Sequence, residues 1–401
     1  MIRLLLIADD FTGALDSSIF FAARGISTVV EVTPDFSWAD IDSKAEVLAV
    51  NSASRHLPAQ QAANIVRRLA DEAKRRNVGA IFKKIDSALR GNLGSELAAV
   101  LDIPTRQQMF LLPAYPDGGR TTQHGMQLWN GTPISETTYR NDPLEPVLES
   151  NIKCTLQRQT SVPISEVPQD AVLPSKPGIL VLDASTNEQL LDRCREILQR
   201  PEPLFISGCA GLSAALAQTM FPTDRRPTVS LPNLPLIVVS GSLHPVSTEQ
   251  MVFGRSLGMP YYSLNLNREL SPDFARTAAG AQWIQSVRKE LDTRRVVLLE
   301  TDRTSTLSGE QAGSISRRIA RLLAKLYSPE QPVALAIFGG DTLLEIALEL
   351  FSSGLLPQHE IEPGVPLALA SDKYGHQIPL ISKSGGFGSE NIIETIINTL
   401  M

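Results

Sequence analysis

"LLLIADDFTGALDSS", Leu4 to Ser18, is the stretch whose reading decides the fold. Leu4 to Ala8 is wholly apolar, with no alternation, and two carboxylates, Asp9 and Asp10, follow back to back. An apolar run of this length marks a strand buried on both faces, and the apolar spacing that starts near Thr12 marks a helix. Asp10 and Thr12 are good helix caps, which accounts for one acid. The second is costly at a sheet edge unless a cation, a metal or a hydroxyl-bearing ligand meets it.

The same unit recurs outward from this point. Arg3 to Ala8, Ser27 to Val32, Ala45 to Val50, Ala80 to Lys84 and Met109 to Pro113 read as strands, and Thr12 to Arg24, Pro58 to Arg76 and Asn92 to Asp102 as helices. That order predicts an α/β fold with largely parallel sheets. Asn130-Gly131 then signals a two-residue hairpin, and the polar, proline-rich Ser161 to Pro177 reads as a surface run. Alternation resumes with "GILVLDA", a helix over Asn187 to Arg200, "LFISG" and a helix from Gly211. Beyond a proline-rich stretch from Phe221 to Pro235, "LIVVSGS", "VVLLET" and "ALAIFGG" open a second series of strands. A chain of 401 residues exceeds what one core usually organises, so the expectation is two α/β domains, 1–225 and 236–401, joined by a linker at 226–235.

Apolar residues make up 43% and charged residues 20%, and 37 basic against 43 acidic residues leave a net charge of -6 with no basic stripe. Nucleic acid and membrane are therefore not expected partners, and no apolar run is long enough to span a bilayer. Cys154, Cys194 and Cys209 lie far apart in no metal-binding spacing, which fits a reducing cytoplasm.

In parallel sheets, ligands gather at the carboxyl ends of strands, and four further segments stand at such ends. "FKKIDSALRGNLGSEL" places Lys83, Lys84, Asp86 and Arg90 before a helix, a set suited to a carboxylate or phosphate as well as to a plain solvated loop. "PAYPDGGRTTQHG" adds Tyr115, Asp117 and Arg120; its His124 reads more readily as structural than catalytic. In the second half, Ser240, Gly241 and Ser242, then Gly339, Gly340, Asp341 and Thr342, then Gly385, Gly386 and Gly388 form three glycine-bearing turns. One such turn is common, but three in one domain point to a nucleotide. Neither a Walker sequence nor a G-x-G-x-x-G after the first strand is present.

Taken in order, "ADDFTGALD", "KKIDSALRGNLGSEL", "PAYPDGGRTTQHG", "GTPISETTYRNDP", "VSGSLHPVSTEQ", "FGGDT" and "KSGGFG" resemble the four-carbon acid sugar kinase family over nearly the whole chain. The resemblance implies an N-terminal domain that binds a sugar acid such as threonate or erythronate. It implies a C-terminal domain that binds ATP, with Mg²⁺, and phosphorylation of the terminal hydroxyl to a 4-phosphate. It places ATP contacts on Ser242, Gly339 to Thr342, Gly385 and Gly386; His244 departs from the family's pattern, which has a small or hydroxyl residue there. Asp9 and Asp10 are then expected to take substrate hydroxyls, and Arg90 with Lys83 or Lys84 the carboxylate. Asp86, Tyr115, Asp117 and Arg120 complete the substrate side. Asp341 and Asp10 are rival candidates for the general base, and Asp341 is also a candidate to hold Mg²⁺ through water; no all-protein metal site is expected. Sugar acid and ATP are the expected partners, with self-association left open. Two other readings remain: an NAD-dependent oxidoreductase and a non-catalytic binding protein.

Overall fold

A computed structural model describes residues 1–101, 107–142, 145–222, 230–302, 309–352 and 354–401, with backbone alone at 309–313. The chain divides into two compact units, Met1–Pro227 and Thr228–Met401. Of the predicted linker at 226–235, residues 226–229 lie outside the described residues and 230–235 run without regular structure into the second unit's first strand.

In the first unit, the strands are β1 (Leu4–Ala8), β2 (Thr28–Glu31), β3 (Val47–Asn51), β4 (Ala80–Lys84), β5 (Gln108–Leu112), β6 (Arg120–Gln123), β7 (Met126–Trp129), β8 (Thr132–Pro133), β9 (Ile164–Val167), β10 (Gly178–Leu182) and β11 (Leu204–Gly208). The helices are α1 (Phe11–Ala22), α2 (Ala59–Arg75), α3 (Leu93–Val100), α4 (Ile152–Gln157), α5 (Asn187–Ile197) and α6 (Ala210–Met220). Among the described residues an eight-stranded sheet runs β2-β3-β1-β4-β11-β5-β10-β9, parallel throughout. Every residue of β1 is buried, because Leu5 and Ile7 pack under α2 and α3 while α1 lies against β1 and β3 from the other side. This is why the run shows no alternation.

The second unit holds β12 (Leu236–Ser240), β13 (Tyr261–Leu264), β14 (Val296–Thr301), β15 (Ala334–Phe338), β16 (Leu356–Glu362), β17 (Val365–Ser371) and β18 (Gln377–Lys383). Its helices are α7 (Pro245–Ser256), α8 (Ala278–Arg294), α9 (Gly309–Leu326), α10 (Gly340–Leu350) and α11 (Ile392–Leu400). The sheet order is β13-β14-β12-β15-β18-β17-β16, parallel except where β17 turns back on β18 and β16 on β17. Its core gathers Val238, Leu298, Ala336, Phe338 and Ile381 under Met251, Ile392 and Ile396.

The α/β expectation holds, and the predicted hairpin is present. Asn130 and Gly131 have φ of 49° and 80°, as a two-residue turn of that hand requires, and Trp129 pairs with Thr132 across it. One expectation is corrected. Ser161 to Pro177 is not simply a surface run, since it contains β9, which pairs with β10 from Ile164↔Ile179 onward at the sheet edge. Pro163 and Pro168 bracket the strand, and an edge tolerates them because one side of its backbone goes unpaired. Among the described residues no helix is long and apolar enough to cross a membrane.

In both sheets the chain reverses direction around its first strand. β1 is flanked by β3 and β4, and β12 by β14 and β15. At such switch points the outgoing loops part and leave a crevice at the strands' carboxyl ends.

Candidate functional site

At the first switch point, Asp9 follows β1 and is 3% exposed. Its Oδ2 accepts from Arg55 Nε at 2.7 Å, and its Oδ1 is buried with no hydrogen-bond partner. Burial opposes ionisation of Asp9, but Arg55, with Lys83 and Lys84, outweighs it and holds the carboxyl below its ordinary value. Asp10 caps α1: its Oδ1 accepts from Gly13 N at 3.0 Å and lies 2.9 Å from Arg55 Nη2. The bland and the functional readings of Asp10 are thus compatible, since the hydrogen bonds of the cap fall on one oxygen.

Arg55 stands at the centre of the cluster and was not singled out from the sequence. It lies on the loop after β3, 13% exposed, within 3.9 Å of Asp86 as well as bonded to the first two acids. Against the cost of burial, Asp10, Asp9 and Asp86 raise its pKa well above the ordinary arginine value, so it is a fixed cation. Asn92 pins this loop, donating from Nδ2 to the carbonyls of Ser54, Arg55 and Leu57. The position of Arg55 after a strand was the available signal.

Asp86 and Arg90 form a two-bond pair, Nε to Oδ2 at 2.9 Å and Nη2 to Oδ1 at 2.8 Å, and Asp86 Oδ2 also accepts from the amides of Ala88 and Arg90. Arg90 Nη1 reaches Asp142 Oδ2 at 2.8 Å. Burial would raise the Asp86 carboxyl, but Arg90, Arg55 and Lys84 hold it far below the carboxylate range.

The two lysines part company, as neighbours on a strand must. Lys84 is the one directed to the cluster: a Cβ on Gly13 would stand 2.9 Å from its Nζ and 2.4 Å from Asp10 Oδ1. Lys83 is fully buried, donating to Lys84 O at 2.7 Å and paired with Glu96 at 3.0 Å, with Glu96 in turn taking the Ser54 hydroxyl. Of the two alternatives, Lys83 or Lys84, the geometry favours Lys84 for the carboxylate. The Lys83 ammonium is spent on the interior and acts on Asp9 only as a nearby charge.

Tyr139, also unforeseen, links the second loop to the first. Its hydroxyl accepts from Arg120 Nη2 at 2.7 Å, and Arg90 lies over its ring at 5.5 Å. Arg120 also stacks on Trp129 and bonds Gly118 O, while Tyr115 packs on Gly118. Asp117 faces solvent and accepts from Asn187 Nδ2 at 2.8 Å. Beside the cluster opens a cavity of about 400 Å³ lined by Arg55, His56, Arg90, Gly91, Glu145 and Arg158 among others.

In the second unit, glycines let three turns close on one another. A Cβ on Gly241 would meet Thr342 Oγ1 at 2.1 Å, and one on Gly385 would meet His244 Cβ at 2.7 Å and Ser242 Oγ at 2.9 Å. Gly339 adopts a φ of 120° open to glycine alone, and its amide donates to Lys383 O. Gly340 then starts α10, so the amides of its first turn and the helix dipole face the crevice, with Asp341 exposed there. Thr342 is buried against Ser316 Oγ. His244 caps α7, its Nδ1 accepting from Val246 N at 3.2 Å.

A unit that offers acids and cations together, joined in one chain to a unit whose glycine turns present helix-end amides, has the make-up of a small-molecule kinase. The comparisons agree. Residues 4–216 match the sugar-binding N-terminal domain family and residues 237–393 the nucleotide-binding C-terminal domain family. The chain belongs to the four-carbon acid sugar kinase family. It is 30% identical to a D-threonate kinase of Cupriavidus necator, covering 96% of this chain and 95% of that one, and 28% identical to a D-threonate kinase of Salmonella typhimurium over 98% and 96%. A solved Haemophilus influenzae protein from a domain family of unknown function shares the fold, with a TM-score of 0.78 at 23% identity over 99% and 100% of the two chains. The protein is a kinase, and the dehydrogenase and non-catalytic readings are set aside.

Proposed function

We propose that the protein transfers the γ-phosphoryl group of ATP to the terminal hydroxyl of a four-carbon aldonate of the threonate or erythronate type, giving the 4-phosphate and ADP. The observation that carries this reading is Asp9 Oδ1, a buried acceptor without a partner beside Arg55 and Lys84. A polyhydroxy acid supplies what that corner lacks, a hydroxyl donor, and brings the anion that its cations suit. Asp10 shares the hydroxyls. Arg90 and Lys84 face the carboxylate, with Asp86 and Asp142 keeping the Arg90 guanidinium in place. Arg120 borders the site through Tyr139, and Tyr115 exchanges backbone hydrogen bonds with Arg120.

In the transfer, the acceptor O–H bond breaks as the O–P bond forms, the bond from the γ-phosphorus to the β,γ-bridging oxygen breaks, and the proton passes to a carboxylate. Asp341 and Asp10 are the two candidates for that carboxylate. Ser242, the Gly339 to Thr342 turn and the Gly385-Gly386 turn hold the phosphates. Among the described residues no group of three or more His, Cys, Asp or Glu side chains is arranged to hold a metal. Mg²⁺ would come as a companion of the triphosphate, with the exposed Asp341 the adjacent acid, and when bound it would neutralise phosphate oxygens. The cytoplasm, where ATP is at hand, is the matching compartment.

The test is ADP release, coupled to a reporter, over D-threonate, L-threonate, D-erythronate and 3-oxo-tetronate. Turnover is expected with at least one of them, and none with NAD as cosubstrate; absence of turnover with all four overturns the reading. Asp10→Asn and Asp341→Asn separate the candidate bases. The base is the one whose loss lowers kcat by about 100-fold or more with both KM values kept.

A further inference from the structure

Lys383 ends β18, immediately before the Gly385-Gly386 turn, and is 1% exposed. Its ammonium has three protons and makes three hydrogen bonds: to Ser247 Oγ at 3.0 Å, Ser384 O at 3.2 Å and Gly385 O at 3.0 Å. The Ser247 hydroxyl donates in turn to Gly385 O at 3.0 Å, so that carbonyl is held twice. Among the described residues no carboxylate pairs with Lys383; the face of the Phe338 ring lies 4.8 Å away instead. Burial pushes the ammonium down to about 8. A buried cation with no counter-ion is a cost that a fold keeps only for a return elsewhere.

The peptide plane shows what that return is. In a trans peptide the C=O and the following N–H point in opposite directions. Drawing the Ser384 and Gly385 carbonyls inward to Lys383 therefore turns the Gly385 and Gly386 amides outward. Neither amide has a protein partner among the described residues. The turn is closed by Phe387 N on Ser384 O and lies against Ser242 and His244, where a Cβ on Gly385 would not fit. Two successive free amides over a buried positive charge form an anion cradle.

We propose that Lys383 is the positioning residue of the nucleotide site: it sets the Ser384–Gly386 turn so that two amides face the phosphates, and its charge lies beneath them. This rests on the reading of the second unit's turns as the triphosphate site. The test is the full-length enzyme with Lys383→Met, which keeps length and loses charge and donors, and with Lys383→Arg, which keeps both. Lys383→Met is expected to weaken MgADP binding in calorimetric titration, and to raise KM for ATP, by about tenfold or more while KM for the sugar acid stays within about twofold. Lys383→Arg is expected to bind MgADP more tightly than Lys383→Met. Should Lys383→Met not fold, Ser247→Ala removes the second hold on Gly385 O and is expected to shift the ATP terms alone, by about threefold. Equal MgADP binding by wild type and variants, or a parallel rise in both KM values, overturns the proposal and leaves the site reading standing. Wild type that fails to bind MgADP overturns the site reading, and the proposal with it.

Discussion

Arg55 shows how one side chain can organise several others. Asp9, Asp10 and Asp86 converge on it within 2.7 to 3.9 Å, so its removal takes from the buried Asp9 its hydrogen-bonded cation and leaves only the lysines nearby, while Asp86 keeps Arg90. Arg55→Met should cost about 3 to 5 kcal/mol in denaturant unfolding, the scale for breaking a buried ion pair, and should raise KM for the sugar acid. Asp86 gives the pH counterpart. Its folded pKa lies below the ordinary 3.8, so the stability it contributes is complete only well above that ordinary value and is lost as pH falls toward and through the folded value. Asp86→Asn should therefore flatten the acid limb of a stability-against-pH curve, and an unchanged limb would contradict the pairing with Arg90. Asp9, Asp10, Asp86 and Arg90 could be picked out in the sequence because each sits just past an apolar run. Arg55 and Tyr139 were not legible, because their importance comes from contacts with residues 19 to 49 positions distant, which no local pattern records.

Between strand and helix, the turns govern the site. Gly241→Ala adds a methyl 2.1 Å from Thr342 Oγ1, and since Thr342 is buried it cannot swing clear. The β12 and β15 turns must then separate, and KM for ATP is expected to rise by about tenfold or more with little change in KM for the acid. In the first unit, Asn92→Ala removes three bonds that secure the Arg55 loop and should cost about 1 to 2 kcal/mol, measured by denaturation. Where a helix was read its bounds came within about three residues, as α2 and α5 show: Pro58 to Arg76 expected and Ala59–Arg75 found, Asn187 to Arg200 expected and Asn187–Ile197 found; α8 and α9 were not read. β9 escaped because four half-buried residues between prolines carry too little pattern, and its pairing with β10 depends on chain far along the sequence.

On the scale of the molecule, each unit has a core of its own, the first around Leu5, Ile81 and Leu111 and the second around Val238, Ala336 and Ile381. Calorimetry of the intact chain should resolve two transitions, with MgADP raising one and threonate the other. A ligand at 100 times its dissociation constant should add about 2.7 kcal/mol to its own unit. A single transition moved equally by both ligands would contradict this. The two-unit plan was legible from length and from the recurrence of strand and helix. The reversal of direction at the end of the second sheet was not, because strand direction is set by the pairing of β17 with β18 and of β16 with β17, which no local pattern records.

That reversal has a consequence for the protein's behaviour in a crowded solution. A parallel sheet ending on a long straight strand would offer a row of open amides and carbonyls to any stray peptide. Here the outermost strand is β16, whose register slips twice against β17, between Pro357 and His359 and again between Glu360 and Glu362. Proline without an amide proton, two irregular steps and two acids make this border a poor template, so the nucleotide unit is guarded against growing into fibrils from that side.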